Sequence, residues 1–102
     1  MPAYLIANIT VTDPVGFEDY RARVPAVIAA HGGRYVVRGG KMAVLEGEWT
    51  GQRSVVLEFP DMARLNAFYE SEDYAPLLAL RKRSAVSHII TVEGYVPRGS
   101  VS

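Results

Sequence analysis

Apolar and polar positions alternate in four stretches of the chain, at residues 4–11, 34–38, 54–59 and 86–93. A period of two, combined with many β-branched residues, predicts strands that bury one face. Glycines follow the second stretch, and they predict a hairpin-like turn after which the strand resumes at 42–46.

Spacings of three and four between apolar residues predict helices in the remaining segments. The first helix should begin at Asp13-Pro14, because aspartate caps a helix and proline suits its first turn. It should bend at Pro25 and end at Gly32-Gly33. A second helix is predicted after Asp61, and a shorter third helix after residues 71–73.

The resulting order is βαββαβ, the ferredoxin-like arrangement of an α+β domain. Its antiparallel sheet carries the helices on one face and leaves the other face uncovered. Alternation gives the uncovered face residues such as Tyr4, Ile6, Asn8 and Val56. This mixture is too apolar for exposure to water, so we expect a second copy of the chain to cover it.

Composition narrows the classes of function. The 102 residues include 49% hydrophobic residues, which suits one globular domain, predicted at 4–95. Eleven basic and eleven acidic residues cancel, so neither nucleic acid nor a membrane surface is an expected partner. The absence of cysteine and of a long apolar run fits a cytoplasmic protein. Residues 96–102 are predicted to be a flexible tail, and a vector-derived linker and a native terminus fit it equally.

Several short motifs carry a resemblance to a known family. They are Asp13-Pro14, Gly32-Gly33-Arg34, Arg38-Gly39-Gly40, Glu58-Phe59-Pro60 and Val92-Glu93-Gly94. In this order they resemble the bacterial family called domain of unknown function 1330, within the dimeric α+β-barrel superfamily. The resemblance implies a homodimer whose sheets pack face to face. That superfamily includes small monooxygenases, heme-handling enzymes and lactone isomerases, whereas the family itself brings no established activity.

Two residues are candidate catalytic groups. His31 ends the apolar stripe of the first helix, where it would serve as a general acid or base, as a heme ligand or simply as a helix cap. Glu58 lies within an apolar strand. Facing a pocket, it would have a raised pKa suited to proton transfer, and facing an arginine it would form a structural ion pair.

Three further residues are candidates for substrate binding. Arg38 precedes Gly39-Gly40, where its planar guanidinium would bind a carboxylate with two hydrogen bonds, unless it pairs with a glutamate. Tyr20 and Tyr74 would line a cavity for a planar ligand, although aromatic residues at helical spacing also suit a core.

No motif fixes a reaction. The two histidines lack the spacing of metal ligands, and neither a phosphate loop nor a serine nucleophile motif is present. We therefore expect no metal and no cofactor. One hypothesis is a cofactor-independent enzyme acting on a small organic acid or aromatic compound, and the alternative is a non-catalytic ligand-binding or structural homodimer.

Overall fold

A four-stranded antiparallel sheet with three helices makes up the computed structural model, which describes residues 1–97. The elements run in the order β1 (Ala3–Val11), α1 (Pro14–Ala30), β2 (Arg34–Arg38), β3 (Arg53–Phe59), α2 (Met62–Tyr69), α3 (Ala75–Ser84) and β4 (Ala85–Glu93). The strands lie in the order β2-β3-β1-β4, so the first and last strands of the chain are neighbours. This is the predicted ferredoxin-like α+β fold. The part of the predicted tail at residues 98–102 lies outside the described residues.

Helix ends follow the capping residues found in the sequence. The Asp13 side chain accepts a hydrogen bond from the Gly16 backbone N–H, and Asp61 does the same for Arg64. Pro25 lies inside α1, and Gly32 ends this helix with a φ of 80°. Such a φ is easily adopted only by glycine, so a residue with a side chain would be strained there.

The core lies between the helices and one face of the sheet. Along β1, alternate residues are buried, and Leu57 and Phe59 of β3 pack beside them. From the helices, Val24, Leu65 and Phe68 complete this layer, with exposed fractions of 2% or less. The opposite sheet face has no covering element among residues 1–97, and on β4 it leaves Ile90 61% exposed.

The predicted strand at 42–46 is wrong, because residues 40–52 form an irregular, mostly exposed connection. Hydrogen bonds from Gly39 N–H to Ser54 O and from Gln52 N–H to Ile9 O hold its two ends against the sheet. Between them, Leu45 is 95% exposed. Within the described chain, Leu45 and the other apolar side chains at 42–46 have no surface against which to pack. Alternation alone therefore does not produce a strand there.

Candidate functional site

A narrow cavity of about 40 Å³ lies between α1, α3 and the covered face of the sheet. This is the volume open to the centres of water molecules, and the space enclosed between the surfaces of the lining side chains is larger. Most of its wall is apolar or aromatic, and four arginines complete it: Arg21, Arg38, Arg53 and Arg81. No aspartate, glutamate or histidine belongs to the wall within residues 1–97. The cavity is therefore an apolar space with a strongly positive lining.

Arg38 reaches the cavity because β2 contains an irregularity. Tyr35 pairs with Leu57, but Val37 pairs with Val56, so one extra residue is accommodated between them. This shift places Arg38 opposite Val55 on the covered face. There its guanidinium lies 4.7 Å from the centre of the Tyr35 ring and donates to the Arg21 backbone oxygen over 2.8 Å.

Arg53 enters the same end of the cavity from β3. Its guanidinium lies 5.3 Å from the centre of the Phe17 ring, directly beneath Gly39. Gly39 has a φ of 66°, and a Cβ at this position would collide with the guanidinium. Glycine suits this position because of its backbone conformation, and a side chain here would also displace the Arg53 guanidinium.

Three like charges lie at this end of the cavity, which we call the arginine end (Arg21, Arg38 and Arg53), and of these Arg21 also forms an ion pair with Glu18, with Nη1 3.2 Å from Oε1. Desolvation lowers the pKa of Arg53, and repulsion by Arg21 and Arg38 lowers it further. The Nε atoms of Arg21 and Arg53 are buried without a hydrogen-bond partner. Buried donors of this kind are rare in folded proteins, and an anion would satisfy them.

A second part of the cavity wall contains Arg81, Tyr74 and Tyr20, with Tyr69 beside them. Arg81 is only 4% exposed, and it donates from Nε to the Tyr74 hydroxyl and from Nη2 to the Tyr69 hydroxyl, each over 3.3 Å. The Tyr74 hydroxyl is also 2.9 Å from that of Tyr20. We call Arg81, Tyr74 and Tyr20 the phenol end.

Ionisation at the phenol end is set mainly by burial. Desolvation raises the pKa of Tyr20 far above its ordinary value, so this hydroxyl keeps its proton at neutral pH. Desolvation alone would lower the pKa of Arg81, but its interactions with Tyr74, Tyr20 and Tyr69 outweigh this and raise it. The guanidinium therefore stays charged in a place where no carboxylate of residues 1–97 pairs with it.

The five residues singled out from the sequence do not form one site. Arg38, Tyr20 and Tyr74 line the cavity, and their role in substrate binding stays a prediction. His31 instead caps α1, with Nδ1 3.0 Å from the Val27 backbone oxygen and its ring edge-on to Phe68. The assignment of His31 as a catalytic group stays a prediction, without support from a shared cavity.

Glu58 lies on the uncovered face of the sheet, away from the cavity. It accepts a hydrogen bond from the Tyr4 hydroxyl over 2.8 Å and forms an ion pair with Arg34, whose Nη2 is 2.6 Å from Oε1. These hydrogen bonds, from Tyr4 first and then Arg34, lower the pKa of Glu58. The direction is opposite to that expected for a carboxylate in a pocket, so nothing in this geometry favours a catalytic role.

Arg53 and Arg81 were not among the sequence candidates. Both carry a signal: Arg53 precedes the buried alternation of β3, and Arg81 follows Tyr74 and Leu77 on the apolar stripe of α3. Arg81 stands beside Lys82 and Arg83, and a cluster of basic residues at a helix end is usually explained by the helix dipole. That explanation does not distinguish Arg81, which is the buried member of the cluster.

Neither a metal centre nor a membrane span emerges from residues 1–97. They contain no group of three or more potential metal ligands, and none of their helices is long and apolar enough to cross a membrane.

Comparison with known families settles the relationship that the motifs indicated. The model of the domain of unknown function 1330 family matches residues 2–95. The chain belongs to this family. No curated protein matches the sequence.

Solved structures share the fold at low sequence identity. A protein of unknown function from Rhodopseudomonas palustris is 16% identical, with a TM-score of 0.77, and the alignment covers 94% of this chain and 84% of that one. SnoaB, a cofactor-independent oxygenase from Streptomyces nogalater, is 17% identical, with a TM-score of 0.62 and coverage of 97% and 98%. A dabb family protein with a ferredoxin-like fold from Mesorhizobium loti is 13% identical, with a TM-score of 0.64 and coverage of 96% and 98%. These likenesses establish the ferredoxin-like fold.

Proposed function

We propose that this protein binds a small organic acid in the cavity between α1, α3 and the sheet. The observation that carries the proposal is the lining itself, which combines four arginines with an aromatic and apolar wall and, within residues 1–97, has no carboxylate. A carboxylate would satisfy the unpartnered donors of Arg21 and Arg53, while an aromatic or aliphatic body would fill the apolar remainder.

The binding test is a calorimetric titration with benzoate, acetate and the neutral analogue benzyl alcohol. We expect the two carboxylates to bind and benzyl alcohol to bind much more weakly, because only a carboxylate offsets the charge of the arginine end. Equal affinities for benzoate and benzyl alcohol, or no binding of either carboxylate, would contradict the proposal.

Strand β2 offers a matched pair of variants for this test. Arg38→Lys keeps the charge and loses the planar fork, so we expect carboxylate binding to weaken by about 1–3 kcal/mol. Arg34→Lys makes the same change four residues earlier, on the uncovered face, and should leave the affinity as it is. A similar loss in both variants would indicate an effect of overall charge rather than of the site.

A catalytic role is the second candidate. The fold is shared with a cofactor-independent oxygenase, and the phenol end supplies hydrogen-bond donors suited to stabilising a developing negative charge. Following the bound acid by mass spectrometry during prolonged incubation separates the candidates. A product formed by the wild type and not by Tyr20→Phe favours an enzyme acting on a small organic acid or aromatic compound, and unchanged ligand favours a binding protein.

The homodimer is the second part of the proposal. The uncovered sheet face presents Val86, Ile90 and Val92, all markedly exposed in a single chain. A second copy placed on this face would bury them, and a biological interface should exceed roughly 1,000 Å². Light scattering at micromolar concentration should give the mass of two chains, and a monomer mass would contradict the dimer.

One pair of variants assigns the dimer to this face. Ile90→Asp places a charge at the centre of the proposed interface and should shift the mass towards one chain. Val15→Asp introduces the same charge at an exposed position at the start of α1, so it should leave the mass unchanged.

A further inference from the structure

The buried guanidinium of Arg81 has hydrogen-bonding capacity that the described chain does not use. A guanidinium offers five N–H groups and accepts none. Two bonds are formed, both to tyrosine hydroxyls, and neither partner is a carboxylate. Isolating a charge from water in this way is costly unless it is paired. The side chain is nonetheless 4% exposed and forms part of the cavity wall.

The hydrogen bonds at this end have a favoured direction. Arg81 can only donate, so the Tyr74 oxygen accepts its Nε–H. Accepting from a cation polarises the Tyr74 hydroxyl, which makes it the better donor across the 2.9 Å contact with Tyr20. The Tyr20 hydroxyl then accepts in this contact, and its own proton is not used in it. Since Tyr20 also lines the cavity, its hydroxyl is a free donor beside the unused N–H groups of Arg81.

The two ends of the cavity have different hydrogen-bonding partners. Arg53 lies over Phe17 beside Gly39, and Arg38 donates to the Arg21 backbone oxygen, whereas Arg81 donates to Tyr74 and Tyr69. One carboxylate bound at the arginine end would leave the unused N–H groups of Arg81 without a partner. A ligand with an acidic group at each end would satisfy both.

We propose that the phenol end is an oxyanion site, which binds an ionised hydroxyl oxygen of the ligand through Tyr20 O–H and the free N–H groups of Arg81. This inference rests on the proposed binding of an organic acid, and it names the substrate class. The ligand is a small carboxylic acid with a second, weakly acidic hydroxyl, either a phenol or an enol. The carboxylate occupies the arginine end and the hydroxyl oxygen occupies the phenol end. The hydroxyl proton leaves to solvent on binding, so the bound ligand is a dianion.

The test compares 4-hydroxybenzoate with 4-methylbenzoate, which differ by a hydroxyl and a methyl group of similar size. We expect 4-hydroxybenzoate to bind more tightly, and the ratio of the two affinities to rise from pH 7 to pH 9, because a nearby cation lowers the pKa of an acidic group by about one to three units and an ordinary phenol has a pKa near 10. The ultraviolet difference spectrum of the complex should be that of a phenolate. Titrations in two buffers of different ionisation enthalpy should show release of a proton for 4-hydroxybenzoate alone.

These outcomes separate the two proposals. If both acids bind with equal affinity, or if the hydroxyl binds without losing its proton, the oxyanion site is wrong and the organic-acid site stands. If neither acid binds and benzoate also fails, the organic-acid site itself is wrong, and the oxyanion site falls with it. Both comparisons use the wild-type protein, so they do not depend on the folding of a variant.

Two matched variants assign the effect to the phenol end. Tyr20→Phe removes the free hydroxyl there and should reduce the preference for 4-hydroxybenzoate at least about fivefold, with less phenolate in the spectrum. Tyr4→Phe removes a hydroxyl from the uncovered face of the sheet, where it binds Glu58 away from the cavity. It should leave the affinities for both acids and their ratio unchanged. A preference that survives Tyr20→Phe, in protein whose melting curve shows a folded state, would overturn the assignment.

Discussion

Arginines on the two faces of the sheet differ in whether a carboxylate pairs with them. On the uncovered face, Arg34 has a complete environment, because Glu58 pairs with it and the Tyr4 hydroxyl satisfies the second carboxylate oxygen. On the covered face, the exposed Arg38 and the half-buried Arg53 have no carboxylate within salt-bridge distance in residues 1–97, although both line the apolar cavity. The unpaired arginines thus lie on the face that packs against the core.

Strand register explains the difference. Glu58 lies directly opposite Arg34 on one neighbouring strand and opposite Tyr4 on the other, so the fold itself assembles this group. The register partners of Arg38 and Arg53 are Val55 and Ile9, which offer no charge. An ion pair provided by the register needs nothing from outside the chain. Arginines beside a cavity whose register partners are aliphatic instead need a bound anion as their ionic partner.

The largest effect on stability is expected when Arg81 is replaced, which tests whether an arginine without a carboxylate partner is structural. Arg81→Ala should destabilise the protein by about 2–5 kcal/mol, because a buried side chain is lost and a cavity remains. Arg81→Met keeps most of the volume and removes only the charge, so its stability should lie within about 1 kcal/mol of the wild type. Chemical denaturation without ligand measures both.

The outcome for methionine decides the role of the charge. If Arg81→Met is as unstable as Arg81→Ala, the bonds to Tyr74 and Tyr69 hold the fold together, and the guanidinium belongs with structural arginines such as Arg34. A stable Arg81→Met that has lost the preference for 4-hydroxybenzoate places it with the ligand.

A smaller effect is expected at the arginine end. Arg53→Gln should raise stability without ligand by a few tenths to about 1 kcal/mol, because it relieves repulsion with Arg21 and Arg38. Added salt should stabilise the wild type more than this variant, since salt screens the repulsion. Arg23→Gln is the control, because Arg23 is paired with Asp19 on the surface of α1 and its loss should bring no gain. Destabilisation by Arg53→Gln would mean that the cluster is neutralised within the chain.

Local sequence rules were enough for most of the fold. Asp13, Asp61 and Gly32 mark helix ends in the structure as they do in the sequence, because capping depends on one side chain and its neighbours. The prediction of a strand at 42–46 was wrong, since this segment pairs with no strand in the described chain.

The site was less predictable because it depends on long-range register. Arg38 faces the cavity owing to the irregularity after Tyr35, and strict alternation would have turned it to the other face. The ion pair of Glu58 depends on which strands become neighbours, which the residue pattern of one strand does not reveal. Arg81 was detectable from its place on the apolar stripe of α3, but only if a buried arginine was considered.

The smallest effect concerns the satisfied arginine and appears as a dependence on pH. The hydrogen bonds from Tyr4 and Arg34 lower the pKa of Glu58 below the ordinary 4.5. A carboxylate whose pKa is lowered in the folded state stabilises the protein fully above its unfolded pKa, and this contribution is lost as the pH falls through the folded pKa. Glu58→Gln should therefore lower the melting temperature slightly at pH 7, and the difference from the wild type should shrink below about pH 4. Glu93→Gln, which alters an exposed carboxylate on β4 that forms no ion pair within residues 1–97, should show no such convergence. A gap between wild type and Glu58→Gln that stays constant from pH 7 to pH 3 would mean that the ionised Glu58 adds nothing to stability, and the contrast between the two sheet faces would then rest on geometry alone.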